Sequence, residues 1–283
     1  MTPEEWRSLG KWISYKGCRL FVNACGAGMP VLALHGFPTS SYDFTRVIPM
    51  LAGSYRLILF DYPGFGFSDK PRRFNYSLLE YADAAQTVIE HFKLQHVCLF
   101  THDIGDSIGL ELLRRGNPAV EKLVIMNGSV LSIPFEDRKM LLMQKLMLHP
   151  LLGALSSRLR LFRKPVFAGP FNKIFGKSLP DEDIDAFWSL IQHNDGVGIY
   201  HYLIQYMRER WKYQFDWLDT LQTHRAPLTV IWGLADPVAT PEVADEIIRR
   251  RPDARDIRLE GIGHYPHWEA PEQVAAAVRE AFG

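Results

Sequence analysis

The segment from Val97 to Gly109 constrains the fold of this chain more than any other. It reads Val-Cys-Leu-Phe-Thr-His-Asp-Ile-Gly-Asp-Ser-Ile-Gly, an apolar β-prone run followed by a turn that contains Gly105. A helical pattern follows at once, with Ile108, Leu112 and Leu113 on one face. A strand that turns sharply into a helix holds its apex residue in a strained backbone conformation in front of the helix N-terminus. The segment therefore predicts a turn that exposes one reactive side chain.

Two residues compete for the apex of this turn. Gly105 to Gly109 matches the G-x-S-x-G pattern with Ser107 as nucleophile, and Thr101 to Gly105 has the same shape with Asp103 in that place. The apolar run ends at Phe100, so the apex should follow within a few residues, at Asp103. Ser107 lies about one helical turn further on, inside the helix. We favour Asp103; Ser107 as nucleophile, or a turn in which Asp103 only caps the helix, remain as alternatives.

Composition restricts the class of protein. The chain has 283 residues, 47% hydrophobic and 23% charged, which is typical of a globular protein with one large core or a core and an inserted subdomain. Its formal net charge is zero, so neither nucleic acid nor a membrane surface is an expected partner. No apolar run is long enough to span a bilayer. The chain has three cysteines, and their spacing is not that of metal ligands. Its N-terminus does not resemble a signal peptide. We therefore expect a cytoplasmic protein.

Apolar runs alternate with helical patterns along most of the chain. The expected strands are a hairpin over Lys11 to Cys25 and single strands over 31–34, 55–60, 97–100, 123–126, 228–232 and 256–259. Helices are expected over 76–94, over 241–250 and from Pro271 onwards. This alternation predicts an α/β fold whose mostly parallel sheet is covered by helices on both faces.

Strand signals vanish between residues 129 and 221. Methionine and aromatic residues there recur at helical spacing: Met140, Met143, Leu146, Met147, Phe187, Trp188, Ile191, Tyr202, Tyr206 and Trp211. We expect a helical cap over 129–221, inserted into a core domain made of 1–128 and 222–283. An apolar underside of this cap would pack its own small core and line a pocket for an apolar substrate.

Chemically useful groups follow several of the expected strands. Asp103, Asp236 and His264 each come just after a strand, as does the loop that contains Phe37. Because the C-terminal ends of parallel strands meet at one edge of a sheet, these groups can converge. Asp236 would then hold His264 in the required tautomer, and the main-chain N–H groups of Phe37 and Ile104 would form an oxyanion hole.

Further motifs lie along nearly the whole chain. They are His35-Gly-Phe-Pro-Thr-Ser-Ser-Tyr-Asp43, Gly64-Phe-Gly-Phe-Ser-Asp-Lys-Pro71, His102-Asp103 with Gly105-Asp106, Asn127-Gly128, Asn194-Asp-Gly196 and His264-Tyr-Pro266. With these motifs the sequence resembles α/β-hydrolases that have an aspartate nucleophile, namely epoxide hydrolases, haloalkane dehalogenases and, most closely, the mesoderm-specific transcript group. The resemblance implies an α/β-hydrolase fold with Asp103, Asp236 and His264 as the catalytic triad.

An aspartate nucleophile suits displacement at an sp3 carbon. Attack by Asp103 gives an alkyl ester that water can hydrolyse with His264 as base, and no cofactor or metal is required. Haloalkane dehalogenases usually carry halide donors where this chain has Ile104 and Phe37, so a halide cradle is not expected. Epoxide hydrolases use cap tyrosines to protonate the opening oxygen, and Tyr202 lies about where one of these would be.

Several alternatives therefore stay open at the level of sequence. The usual upstream partner of such a tyrosine is missing, since no tyrosine occurs between Tyr81 and Tyr200, although Tyr200 or Tyr206 could substitute for it. We expect epoxide hydrolysis of a small to medium apolar substrate by water. The alternatives are a haloalkane dehalogenase, an esterase that uses Ser107, and a ligand receptor without turnover. Assembly as a homodimer is left open.

Overall fold

Eight strands form one sheet in the computed structural model, which describes residues 1–116, 118–128 and 148–283. The strands are β1 (Lys11–Tyr15), β2 (Cys18–Cys25), β3 (Met29–Leu34), β4 (Tyr55–Phe60), β5 (His96–His102), β6 (Ala119–Met126), β7 (Leu228–Gly233) and β8 (Arg255–Leu259). Their order across the sheet is β1-β2-β4-β3-β5-β6-β7-β8. β2 pairs with β1 and β4 in antiparallel fashion, and the pairings from β4 through β8 are parallel. The predicted hairpin and mostly parallel sheet are confirmed.

Helices cover both faces of this sheet. They are α1 (Pro3–Leu9), α2 (Ile48–Leu51), α3 (Leu78–His91), α4 (Ile104–Arg115), α5 (Pro150–Arg158), α6 (Lys164–Asn172), α7 (Asp181–Gln192), α8 (Gly196–Leu203), α9 (Tyr206–Thr223), α10 (Pro241–Arg250), α11 (Pro266–Glu269) and α12 (Pro271–Phe282), with 3-10 turns at Ser41–Arg46 and His193–Asp195.

The side chains of the central strands point alternately to the two faces of the sheet, so the hydrophobic core has two layers, one on each face. In β3, Leu32 and Leu34 join the cluster that packs under α3, α4 and α10, whereas Val31 and Ala33 join the cluster under α1, α2 and α12. Successive side chains of a strand point to opposite faces, so a strand without polar residues must be buried on both sides. This is why the central strands are continuous apolar runs.

The N-terminal helix α1 is an element that the sequence analysis did not anticipate. The hydroxyl of Thr2 accepts the N–H of Glu5, and the Glu5 carboxylate accepts the N–H of Thr2, which together form a capping box. Trp6 is buried in the cluster under α1 and α2. A seven-residue helix is too short to be stable alone, so burial of Trp6 is what holds it in place.

Five helices, α5 to α9, lie between β6 and β7, and no strand occurs among the described residues of this insertion. Met140, Met143, Leu146 and Met147, which the sequence analysis placed on cap helices, fall outside the described residues. The loop after α6 reaches the sheet edge, where the carbonyl of Ile174 accepts the main-chain N–H of His264 at 2.7 Å.

Across the three described stretches of chain, no helix combines the length and hydropathy that crossing a bilayer would need.

Candidate active site

Asp103 occupies the apex between β5 and α4. The strand runs two residues beyond the apolar run, because Thr101 and His102 pair in register with Ile125 and Met126 of β6. Asp103 then adopts φ 51° and ψ −115°, a conformation that costs a non-glycine residue free energy and marks functional sites. A Cβ at Gly105 would collide with the main-chain oxygen of Leu34, so glycine is required for the helix to pass this close to β3.

Two main-chain N–H groups face the Asp103 carboxylate. The Phe37 N–H donates to Oδ2 at 2.8 Å, and the N–H of Ile104 also donates to this carboxylate. Burial raises the pKa of Asp103 above its ordinary value, while His264, Arg210 and these N–H groups oppose the rise. Both of the main-chain N–H groups that the sequence analysis singled out therefore donate to the Asp103 carboxylate.

Asp236 and His264 form a buried pair after β7 and β8. Nδ1 of His264 lies 2.7 Å from Oδ2 of Asp236, and the other carboxylate oxygen accepts the N–H of Val238 at 2.7 Å. Burial alone would lower the pKa of His264, but Asp236 and, further off, Asp103 raise it to about 9. In the resting protein His264 is therefore an imidazolium between two carboxylates.

Asn127, at the end of β6, completes the environment of the acid. Its side-chain N–H donates to Oδ2 of Asp236 at 2.8 Å, and its carbonyl oxygen accepts the N–H of Gly233 at 2.8 Å. Asn127 has φ 39°, which turns its side chain back across the sheet edge toward β7. The sequence analysis did not assign this contact.

Arg210 of α9 is the group that the sequence analysis missed. Its Nη2 lies 3.9 Å from Oδ1 of Asp103, with 4% of the arginine side chain exposed. The guanidinium carbon lies 5.0 Å from the ring centroid of Tyr206, within the range of a cation–π contact. The inserted helices thus bring a permanent positive charge to the nucleophile.

The cap tyrosines are arranged differently from the expectation. The ring centroids of Tyr200 and Tyr206 lie 5.4 and 5.1 Å from that of Phe37, the residue that donates to Asp103. Tyr202 is 42% exposed, and its ring stacks on Tyr76 at the protein surface. Tyr200 in α8 and Tyr206 at the start of α9 therefore face Phe37, whereas Tyr202 points outward.

Ser107 and Asp106 lie in α4, which follows Asp103 directly. Ser107 is fully buried in α4, one turn after the apex. The hydroxyl of Thr101 lies 2.5 Å from Oδ1 of Asp106 and 3.0 Å from the carbonyl oxygen of Val124. Burial raises the pKa of Asp106 well above its usual range, although the hydrogen bond from Thr101 opposes the rise.

Asp43, His102 and His267 form a buried polar cluster next to His264. Their possible ligand atoms lie within 4.8 Å of one another, and they are the group among the described residues that could hold a metal ion, which spacing in the sequence does not reveal. Burial lowers the pKa of both histidines and raises the pKa of the Asp43 carboxyl. Nε2 of His102 donates to the carbonyl of His264 at 2.7 Å, which links the cluster to the catalytic loop.

A mostly parallel sheet with a strained strand-to-helix turn after β5, an aspartate after β7 and a histidine after β8 is the arrangement of the α/β-hydrolase class. The chain belongs to this family, because the family model for the α/β-hydrolase fold matches residues 29–271. The chain is 38% identical to the protein named hydrolase LipZ of Mycobacterium tuberculosis, over 97% of this chain and 96% of that protein. It is 35% identical to the mesoderm-specific transcript homolog protein of Bos taurus, over 94% of this chain and 83% of that protein.

Solved structures share this architecture. Haloalkane dehalogenase DbeA of Bradyrhizobium elkani superposes with a TM-score of 0.83 at 19% identity, over 96% of each chain. At this identity the likeness concerns the fold, so substrate and mechanism have to be argued from the site.

Proposed function

We propose that this protein hydrolyses its substrate through a covalent alkyl ester on Asp103. The observation that carries the proposal is the position of the Asp103 carboxylate at the strained apex, 2.8 Å from the Phe37 N–H and close to the Asp236–His264 pair. A carboxylate suits displacement at carbon, since the ester it forms can be hydrolysed at its carbonyl. Ser107 is fully buried inside α4, which argues against a serine esterase.

The first step is opening of an epoxide. An oxygen of Asp103 attacks one epoxide carbon, the C–O bond of the ring breaks, and the released oxygen takes a proton from a cap tyrosine. Tyr200 and Tyr206 are the candidates, because both rings pack on Phe37 beside the nucleophile. The products of this step are a hydroxyalkyl ester and a tyrosinate.

The second step is hydrolysis of this ester. Ester formation removes the negative charge of Asp103, one of the causes of the raised pKa of His264, so the imidazolium gives its proton to the tyrosinate and becomes a neutral base. His264 takes a proton from water, and hydroxide adds to the ester carbonyl. The N–H groups of Phe37 and Ile104 stabilise the resulting oxyanion. Collapse expels the diol oxygen, which takes the remaining proton of the water, and it regenerates the Asp103 carboxylate with His264 again an imidazolium.

The inserted helices act as a cap in this proposal, with residues 129–221 as a unit distinct from the core domain of 1–128 and 222–283. Tyr200, Tyr206 and Arg210 all come from this insertion, whereas Asp103, Asp236 and His264 come from the sheet. The cap thus supplies the groups that choose the substrate, and the core supplies those that make and break the ester.

A haloalkane dehalogenase is the second candidate. Neither Phe37 nor Ile104 offers a side-chain donor to a halide. Arg210 favours this candidate, since a cation 3.9 Å from Asp103 could hold a departing halide.

Mass spectrometry of the intact His264→Gln variant, after brief exposure to substrate, tests both candidate functions. We expect the ester to accumulate, since its hydrolysis lacks a base. An aryl or alkyl epoxide would add its whole mass, whereas a bromoalkane would add its mass less hydrogen bromide. Asp103→Asn in the His264→Gln background is the matched control and should stay unlabelled. Labelling of Ser107 by a phosphonate would overturn the proposal, and so would tight binding without any adduct, which is the behaviour of a receptor.

A further inference from the structure

The inserted helix α5 packs with its small side chains inward and its leucines outward. Gly153, Ser156 and Ser157 are its buried residues, and the hydroxyl of Ser157 accepts the main-chain N–H of His201 in α8 at 3.4 Å. On the opposite side of α5, Leu151 is 76% exposed. A surface helix normally turns its leucines toward the core, so the polarity of α5 is reversed.

Five leucines on and after α5 are exposed, and we call them the leucine patch. They are Leu151, Leu152, Leu155, Leu159 and Leu161, each between 45 and 76% exposed. Among the described residues twelve large hydrophobic side chains are exposed, so nearly half of them fall within residues 151–161. Singly exposed hydrophobic side chains are normal on a protein, whereas a cluster of them indicates an interaction surface.

Specific contacts fix the chain after α5 while its leucines face outward. Arg160 has φ 51°, and the N–H of Leu161 donates to the carbonyl of Ser156 at 2.9 Å, which is the pattern of a Schellman motif. The next residue, Phe162, stacks its ring on that of Tyr200 at a centroid distance of 4.0 Å. The leucine patch is therefore a feature of the packed cap and not of a frayed helix end.

Basic residues alternate with these leucines. Arg158 is the last residue of α5, and Arg160, Arg163 and Lys164 follow it closely. Residues 148–180 contain no aspartate or glutamate. The zero net charge of the whole chain, which led us to expect no membrane partner, therefore conceals a local excess of positive charge.

Part of this positive charge has no acidic neighbour. Two ion pairs compensate for the rest, and they join Arg160 to Asp195 and Lys164 to Asp185. Arg158 and Arg163 are exposed, and within the described stretches of chain neither forms an ion pair. Arg158 lies three residues after Leu155 and thus on the same face of α5. Apolar side chains and uncompensated cations therefore share one surface.

We propose that the leucine patch docks on the surface of a membrane that contains anionic lipids. The leucines enter the boundary between headgroups and acyl chains, and Arg158 and Arg163 reach the lipid phosphates. α5 has nine residues, too few to span a bilayer, so it lies in the plane of the interface. The proposal concerns binding alone and does not depend on the proposed function.

Charge favours this occupant over a second copy of the chain. A two-fold contact places the same patch on both sides, so the cations of one copy would face those of the other. Like charges that meet across an interface oppose association. Anionic headgroups attract such cations instead, with a gain in affinity of about five-fold for each charge.

Flotation of the whole chain with lipid vesicles tests the proposal. We expect binding to vesicles of phosphatidylcholine with about 30% phosphatidylserine, and release of the protein at high salt. Binding to pure phosphatidylcholine should be at least ~10-fold weaker, because only the leucines contribute there. Equal binding to both kinds of vesicle, or binding to neither, would overturn the proposal.

Two double variants divide the binding between leucines and cations. Leu151→Ser with Leu155→Ser should lower the affinity for anionic vesicles ~10²-fold, because two large apolar side chains no longer enter the interface. Arg158→Gln with Arg163→Gln should lower it ~25-fold, about five-fold for each charge. All four side chains are exposed, so the variants should unfold at the temperature of the wild type.

Leu9→Ser and Lys93→Gln are the matched controls. Leu9 is an exposed leucine of α1, and Lys93 is an exposed lysine just before β5, at the end of that strand remote from Asp103. Both variants should bind as the wild type does, and losses as large as those of the patch variants would overturn the proposal. A wild type that sediments as a dimer, and as a monomer once Leu151 and Leu155 are replaced, would do so too, since a second copy would then cover the patch.

Discussion

Asn127 and His264 converge on the same carboxylate oxygen, Oδ2 of Asp236, at 2.8 and 2.7 Å. The amide of Asn127 stands at the end of β6 and donates to Asp236. Because two donors point at one oxygen, the carboxylate is held in a fixed orientation.

Replacement of Asp236 should remove this support for the histidine. We expect Asp236→Asn to lower the turnover rate ~10⁴-fold, as loss of a triad carboxylate does elsewhere, because a neutral amide neither fixes the tautomer of His264 nor stabilises its imidazolium. Steady-state kinetics measures the effect, with Asn127→Ala as the milder comparison. A near-normal rate in Asp236→Asn would remove this residue from the mechanism.

The position of Asp103 at the turn between β5 and α4 leads to a second expectation. Asp103→Asn should abolish turnover, whereas Ser107→Ala should retain most of it, since Ser107 is buried one turn into α4. Both variants can be compared by diol release under single-turnover conditions. The opposite ranking would assign the chemistry to Ser107.

The same single-turnover assay can rank Tyr200, Tyr202 and Tyr206 by their contribution to ester formation. Tyr200→Phe and Tyr206→Phe should each slow ester formation, by up to ~10²-fold for the one that protonates the opening oxygen. Tyr202→Phe should leave it within a few-fold, because Tyr202 stacks on Tyr76 at the surface. A larger loss in Tyr202→Phe than in either of the others would restore the expectation drawn from the sequence.

The pKa of His264 links stability to pH. Its value of about 9 in the folded state is above the unfolded value of about 6.5, because Asp236, Asp103 and Glu269 surround it while His102 and His267 are neutral. The stabilisation is therefore fully present below pH 6.5 and is lost as the pH rises through 9; it is on the order of 3 kcal/mol. Urea unfolding from pH 6 to 10 should show the wild type losing stability relative to His264→Gln. Parallel profiles of the two proteins would contradict this.

Much of the sheet could be predicted from local pattern. β4 and α10 have the predicted bounds, since an apolar run between turn residues and a helix that opens on proline are local signals. β5 extends two residues past its apolar run because Thr101 and His102 bond to a neighbouring strand, which no local pattern reports. That extension still supports the apex position at Asp103.

The side-chain positions on the inserted helices α8 and α9 were harder to predict from the sequence, for a physical reason. Arg210 follows Arg208 and Glu209, so its surroundings in sequence are typical of a solvated helix face, and only docking of α9 over the strand ends buries it. The helical phase is also broken between α8, which ends at Leu203, and α9, which begins at Tyr206, without a proline or glycine to mark the break. Tyr200 and Tyr206 therefore face Phe37 while Tyr202 does not.

The hydrogen bond from the His264 N–H to the Ile174 carbonyl bears on protein engineering. Glu269 reinforces it, since its carboxylate accepts the N–H groups of Gly176 and Gly263. Grafting the inserted helices of a relative onto this sheet would exchange the backbone that fixes the catalytic histidine together with the pocket. A chimera that kept residues 174–176 of the recipient would change selectivity alone, whereas one that replaced them would lose turnover whatever its new pocket recognised.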